Sequence, residues 1–468
     1  MKKIIAIVLA AGKGVRMKSE KVKVLHLVSG MPMICHVINT LSKLDLDKIY
    51  VVVGNQGEKV IEAVSYKNME FVWQKKQLGT GHAVSQVKNK LKDFDGTVIV
   101  LCGDVPLIKS NTLKNLLNFH TSSKSSATLL TFYPDNLLGY GRILRDDEGN
   151  VTGIIEESDA NKEQLKIKEA NSGTYCFSWK KLSQAIELLN RENVHGELYL
   201  TDVIQLFSSR NEKISTINVE NWKELIGVNT REQLTIANYE MNKRMLKKWM
   251  DSGVTIIDPN STYIHTQVNI GNDSIIYPST FLEGKTKIGK NCEIGPFTRL
   301  VNSTVGKDSK VTYSVVFNSN IKKRTNIGPF SHIRPGSEIS ESAKIGSFVE
   351  VKKSYVGKGS KVPHLSYIGD TKIGDRVNIG AGTVTVNYDG YKKHKTVIED
   401  EVHIGSGSML VAPIKIGKGA VTGAGSVLTR DVPSDSLALE RSDQVIKEGW
   451  AKRRRKLEKK RQSKKKMT

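Results

Sequence analysis

Cysteine is scarce in this chain: Cys35, Cys102, Cys176 and Cys292 lie far apart, with no C-x-x-C pair among them. That excludes a disulfide framework and a thiolate zinc site, and it reads as reduced thiols in a cytoplasmic protein. Long apolar runs are missing as well. No stretch approaches the ~18 consecutive apolar residues that span a bilayer. The opening MKKIIAIVLAAGKG has only a short apolar run that passes straight into a glycine-rich loop; it is expected to be a first buried strand, not a secretory signal. Acidic residues are outnumbered, 48 Asp and Glu against 71 Lys and Arg, for a net charge of +23. Much of the excess sits in Lys452 to Lys466, eleven basic residues against Glu458 alone. With almost nothing apolar to bury, residues 451–468 are expected to form a disordered basic tail. The tail carries no interleaved aromatics and no RNA-binding motif, so any nucleic-acid contact would be electrostatic and unspecific.

What is present is a repeat. From about Ile270 to Val427 a six-residue unit recurs, aliphatic-Gly-x-x-small-x, as in IGKNCE at 288, VGKGSK at 356 and IGSGSM at 404. Neither a helical stripe nor two-residue alternation fits that period; it marks a parallel β-helix. Each hexad supplies a short strand and a turn, with the aliphatic residue inward, Gly taking turn dihedrals and the small fifth residue leaving room inside. Three hexads close one coil, and five-residue steps such as Leu300 to Val305 interrupt the register without losing it. The crossover rule alone would make this helix right-handed.

The first half has another rhythm. Apolar runs IIAIVLA, KIYVVVG and GTVIVLCGD alternate with helically spaced segments such as MICHVINTLSKL, the pattern of βαβ units on a mostly parallel, Rossmann-like sheet. A stretch poor in Gly and Pro, Arg231 to Trp249, follows as a connecting helix. The expected division is 1–229, a helical linker 230–250, a β-helix 251–450 and the tail 451–468.

The sharpest motif is LAAGKGVRM, Leu9 to Met17, with KVLH at Lys23 to His26. A glycine-rich loop leaving a strand exposes backbone N–H groups that can cradle phosphate oxygens. G-x-G alone is equally a tight turn, and this spacing is neither the dinucleotide fingerprint nor the P-loop. With Arg16 and Lys23 the string resembles the signature of sugar-phosphate nucleotidylyltransferases. QLGTGHA at 77, CGDVPL at 102, GYGRI at 139, IIEESDA at 154, NSGTY at 171, GELYLTD at 196 and GVN at 227 follow in the order of one family. With the hexads appended, the chain to about Trp450 resembles the bacterial bifunctional N-acetylglucosamine-1-phosphate uridylyltransferase/glucosamine-1-phosphate N-acetyltransferases.

That resemblance implies a left-handed prism, two chemistries and a set of residues. For uridylyl transfer it implies that Leu9, Ala10, Ala11, Gly12, Lys23, Cys102 and Gly103 bind nucleotide. Gln74, Gly79 and Thr80 would meet the uracil end, and Gly141, Glu156 and Asn171 the amino sugar. Arg16 and Lys23 would neutralise phosphoryl oxygens, while Asp104 and Asn229 would hold Mg²⁺. A carboxylate after a strand serves equally as a helix cap, and only the surrounding GDVPL favours the metal. Val15, Val22 and Cys102 depart from the family's usual Thr, Pro and Tyr, and none of these removes a charge. In the prism, His364 is implied as the general base that deprotonates an ammonium substrate, although a lone His in a repeat is more often a surface residue. Arg334 and Lys352 would bind the sugar phosphate, with Tyr367 and Asn378 on the sugar. Acetyl-CoA would meet Ala381, Asn387, Tyr388, Lys393, Ser406, Ala424, Arg441 and Lys447. The resemblance further implies a homotrimer that shares its acetyl-transfer sites, with UTP and acetyl-CoA as co-substrates. Against it stand a single-activity nucleotidylyltransferase with the prism as scaffold, and a catalytically silent regulatory or RNA-tethering protein.

Overall fold

The computed structural model describes residues 3–64 and 68–465, of 464 and 465 the backbone alone. Two compact units divide at Ser252/Gly253, with Tyr263–Val268 and Leu282–Gly284 counted in the first. That unit is built on a nine-stranded sheet. Its strands are β1 (Ile4–Ala10), β2 (Lys48–Val53), β3 (Met69–Trp73), β4 (Thr97–Cys102), β5 (Ala127–Phe132), β6 (Arg142–Arg145), β7 (Val151–Ile155), β8 (Ala170–Ser178) and β9 (Ile214–Asn218). They run in the order β9-β5-β8-β4-β1-β2-β3, with β6 joined to β8 and β7. β4, β1, β2 and β3 are mutually parallel, and β8 runs antiparallel to both of its main neighbours. β1 shows why such strands read as unbroken apolar runs: Ile5 and Ile7 enter one core, and Ala6, Val8 and Ala10 the core on the opposite face.

The expected connecting helix is α1 (Arg231–Asp251), opened by a Thr230/Gln233 capping box. It does not stand apart as a linker. Ala237 and Met241 are buried in one cluster with Met17, Met33, Leu107 and Val228, which makes the helix part of the first unit.

In the second unit, strands of two to four residues stack in parallel sheets that form a left-handed β-helix. The inward aliphatics form columns: Ile276, Ile294, Val311, Ile327, Ile345 and Val362 pair in succession and are buried throughout. Shortened steps keep this alignment, since Leu300 still pairs with Val316. The small residue two places before the next inward aliphatic, fifth in a hexad and fourth in a five-residue step, is chiefly a buried hydroxyl. Ser303 Oγ donates to the Val301 carbonyl at 2.9 Å and accepts from the Ser319 N–H of the next coil at 3.2 Å, and Ser354 Oγ serves Lys352 and Thr371 in the same way. Turn backbone that would otherwise be buried without partners is thereby satisfied.

For most second-position glycines the reason differs from the expectation. A Cβ at Gly289 would stand 2.5 Å from the Lys307 nitrogen of the next coil, and Gly289 has no left-handed φ. Close approach of coils demands the glycine. Left-handed dihedrals fall mainly on the fourth residue, as at Asp273, Asn291 and Asp308, where Asn and Asp tolerate them, while Gly295 and Gly328, each before a proline, take the expected positive φ.

The basic tail also differs. Trp450–Lys465 is an α-helix (α2), exposed at every residue whose side chain is described, and 466–468 lie outside the described residues. Lys, Arg, Glu and Gln are good helix formers, and no Gly or Pro interrupts them.

Candidate active sites

In an open parallel sheet, ligands collect beyond the carboxyl ends of the strands, where neighbouring strands lead their chains in opposite directions. Here that point lies between β1 and β4, whose pairing ends at Leu9 and Cys102. Gly103 secures the crevice by donating its N–H to the Leu9 carbonyl at 2.9 Å. The phosphate-type loop leaves β1, and Asp104 leaves β4.

Side chains far apart in sequence meet there. Lys23 Nζ forms an ion pair with Asp104 Oδ2 and donates to Asn229 Oδ1 at 2.9 Å. Asp104 is nearly buried, and its carbonyl fixes the loop bearing Asn229 by accepting the Val228 N–H at 2.9 Å. A carboxylate and an amide oxygen already converging on one cation form a hard donor set suited to a divalent ion. Gly14 lets the loop pass over this lysine: its φ is +65°, and a Cβ there would lie 2.6 Å from Lys23 Cβ.

Two compartments open on either side of this cluster, with Leu9, Lys23, Thr80, Cys102 and Asp104 lining both. One, of about 440 Å³, adds Ala10, Ala11, Gly12, Gln74 and Gly79. In it the buried Gln74 amide donates to the Gly79 carbonyl at 3.1 Å and contacts His82 at 2.9 Å. The other, of about 280 Å³, adds Arg16, Gly141, Glu156, Asn171 and Asn229. Burial raises the Glu156 carboxyl above its ordinary pKa, and Thr201 donates to it at 3.1 Å. Asn171 is oriented by donating to the Tyr175 hydroxyl at 2.7 Å. Burial also pushes the Cys102 thiol up to about 12, so it stays protonated and is no nucleophile.

The candidates read from sequence in this unit all meet here, but sequence reasoning missed some neighbours. Glu197 lines the larger compartment and Tyr140 and Thr201 the smaller. All three lie inside GYGRI or GELYLTD, yet nothing in those strings says which residue faces inward.

In the prism, coil register does the assembling. Ser347 pairs with His364 in adjacent strands. The pairings Lys361 with Asn378, Asn378 with His403 and His403 with Val421 then carry His364 onto Ala381, Ser406 and Ala424, one per coil along a single corner. Arg441 closes this column, its Nη1 donating to the Ala424 carbonyl at 3.4 Å. Around the corner, Glu350 pairs with Tyr367 and Lys352 with Gly369. Arg334 is bound to Glu350 at 2.7 Å, and the Lys393 ammonium is held below its usual pKa by Lys352 beside it. Two crowded ammonium groups mark a place that an anion would relieve. The polar excursion is ordered: Tyr388 bridges to Lys393, and Asn387, nearly buried, donates to Asp370 at 2.5 Å. Two expected residues stand apart. Asn378 lies at the start of its strand beside Lys361, three residues before the corner, and Lys447 is exposed in an irregular segment.

One further feature runs along the same corner. Phe297, Tyr313, Phe330 and Phe348 stack ring on ring in successive coils, with centroids 5.3 to 5.6 Å apart. Phe297, Phe330 and Phe348 are 64%, 54% and 60% exposed, as is Leu365 at 62%, immediately after His364.

Among the described residues no helix is long and apolar enough to cross a membrane. Comparison with known proteins matches residues 5–256 to the Nucleotidyl transferase family and residues 395–430 to Bacterial transferase hexapeptide (six repeats). The chain is 48% identical over 456 residues to the Bifunctional protein GlmU of Heliobacterium modesticaldum, covering 97% of this chain and 99% of that one. It is 47% identical over 453 residues to that of Geobacillus sp. (97% and 98%) and 45% identical over 452 residues to that of Listeria monocytogenes (97% and 99%).

Proposed function

Since this chain belongs to the family of bifunctional GlmU proteins, we propose how its two sites divide the synthesis of UDP-N-acetylglucosamine. The enzyme transfers acetyl from acetyl-CoA to glucosamine-1-phosphate, and uridylyl from UTP to the acetylated product with release of pyrophosphate. Residues up to about 250 carry the second reaction and 251–450 the first.

In uridylyl transfer a phosphate oxygen of the sugar attacks the α-phosphorus of UTP, and the bond to pyrophosphate breaks. Positioning and charge neutralisation are the whole task. The larger compartment receives the nucleotide along Leu9, Ala10, Ala11 and Gly12, with Gln74, Gly79 and Thr80 at the base. The smaller takes the amino sugar against Gly141, Glu156 and Asn171. Lys23 and Arg16 stabilise the phosphoryl oxygens where the two spaces meet. Asp104 and Asn229 would hold Mg²⁺, which supplies further charge neutralisation at the phosphates. The convergence of Lys23, Asp104 and Asn229 at the wall common to both compartments is the observation that carries this reading.

In acetyl transfer, His364 removes a proton from the substrate ammonium, the amine attacks the thioester carbonyl and the C–S bond breaks to release the thiol of CoA. Arg334, Lys352 and Tyr367 bind the sugar phosphate, with Asn378 at its edge. The donor follows the column Ala381, Ser406, Ala424 and Arg441, covered by Asn387, Tyr388 and Lys393, with Lys447 reaching its phosphates. The exposed ladder from Phe297 to Leu365 is an apolar face that other copies of the chain would cover. It supports a homotrimer in the cytoplasm with acetyl-transfer sites at the subunit contacts. Release of CoA with glucosamine-1-phosphate, followed by UTP-dependent release of pyrophosphate from the acetylated product, tests the assignment. Pyrophosphate release without CoA release would reduce the prism to a scaffold.

A further inference from the structure

The helix α2 lies outside both sites, and its composition is unlike anything else in the chain. Eight cations stand between Lys452 and Arg461, opposed only by Glu458. At 100° per residue they point in every direction around the axis, so the helix has no polar face set against an apolar one. Trp450 and Leu457, one heptad apart, are its only large apolar side chains, and the Arg454 guanidinium sits 5.5 Å over the Trp450 ring between them. Such a surface cannot seat in a hydrophobic groove or insert into a bilayer, both of which need an apolar stripe. Self-repulsion among these cations is relieved only by a dense array of anions that meets the helix on more than one side.

We propose that Trp450–Lys465 is a docking helix for the phosphate backbone of double-helical DNA. An α-helix with its side chains is ≈ 10–12 Å across, and the B-form major groove is ≈ 12 Å wide. Phosphate rails on both edges of that groove face a helix charged all round, whereas a flat anionic membrane reaches half of it and the A-form RNA groove is too narrow to admit it. The sixteen residues span about 24 Å, along which the duplex presents roughly fourteen charges. Binding is dominated by phosphates and so is sequence-independent, because the arginines and lysines are spread around the axis and are not gathered on one groove-facing side. It leaves both transferase reactions untouched.

The test uses the full-length protein, a labelled 24-base-pair DNA duplex and fluorescence anisotropy across a salt series. Log K should fall against log salt with a slope of about −4 to −6, as for neutralisation of five or six phosphates. The variant R453Q/R454Q/R455Q/K456Q should bind at least tenfold more weakly with a slope reduced by about 3. The control K92Q/K114Q/K162Q/K180Q, four exposed lysines in the first unit with the same loss of net charge, should change affinity less than threefold. Both activities of the first variant, within twofold of the parent, confirm its folding, and a chain ending at Gly449 gives a second reading of the same loss. Equal losses in the two quadruple variants would reduce the effect to bulk charge and overturn the proposal. So would tighter binding to an RNA duplex of equal length, or binding to phosphatidylglycerol vesicles with none to DNA.

Discussion

The two halves of this enzyme assemble their sites by opposite means. In the α/β unit, Lys23, Asp104 and Asn229 come from three distant points of the chain and meet because β1 and β4 end side by side. In the prism, His364, Ala381, Ser406 and Ala424 meet because each is the same step of successive coils. The first site depends on long-range topology and the second on register. A local error in the first unit therefore removes one contact, while an error in the prism displaces everything stacked above it.

Substitutions can push on each half separately. His364→Ala should cut acetyl transfer by roughly 10²–10⁴-fold, the range for losing an acid–base group. The KM for acetyl-CoA should change little and the rate should partly recover at high pH, with uridylyl transfer as the internal control. Full acetyl transfer at neutral pH would dismiss this histidine. Asp104→Ala and Lys23→Ala should each lower uridylyl transfer by roughly 10²–10³-fold, as losses of electrostatic stabilisation do, while CoA release continues. Lys23→Ala at parental rate under saturating UTP would break the reading of the shared wall.

Stability separates the halves more gently. Gly289→Ala places a methyl 2.5 Å from the next coil and should cost about 1–3 kcal/mol as overpacking does. Calorimetry should show the prism's transition lowered and that of the first unit unmoved; two shifted transitions would mean that the units melt as one. The smallest effect is expected at Asp202, whose carboxyl is raised to about 6 by burial and by Asp159. A carboxyl raised in the folded state favours folding below its unfolded pKa of about 4 and loses that contribution as pH rises through 6. Asp202→Asn should therefore raise the first unit's Tm by a few degrees at pH 8 and leave it little changed at pH 4. A Tm unchanged at pH 8 would show that the carboxylate keeps its hydration.

Legibility follows the same division. A hexad period is a direct readout of the prism because each repeat meets only its neighbours, so the coil axis and its inward columns could be drawn from spacing alone. Side-chain direction at the corners is set by step length, and spacing alone does not tell that Asn378 stands three residues before the corner that carries Ala381. In the α/β unit the motifs located the loops, yet Glu197, Tyr140 and Thr201 emerged only once β6, β7 and β8 were in place, because inward facing there depends on which strands pair. Gly289 was legible as necessary but for another reason, since contact between coils leaves no mark on a local dihedral preference. The helix of the tail escaped because charge density argues against burial, and burial is not required for a run of strong helix formers.

The buried hydroxyls of the prism have a consequence for how it comes apart. Several are bonded both within their own coil and to the coil that follows, as Ser303 is to Val301 and Ser319, Ser314 to Thr312 and Ser331, and Ser354 to Lys352 and Thr371. Opening a central coil would strand polar groups on both sides at once, at about 1–3 kcal/mol for each buried group left unpaired. Fraying is confined to the ends, where only one neighbour is lost. The interior behaves as a zipper without a middle tooth that can slip, and amide protons there exchange only when the stack unwinds as far as them.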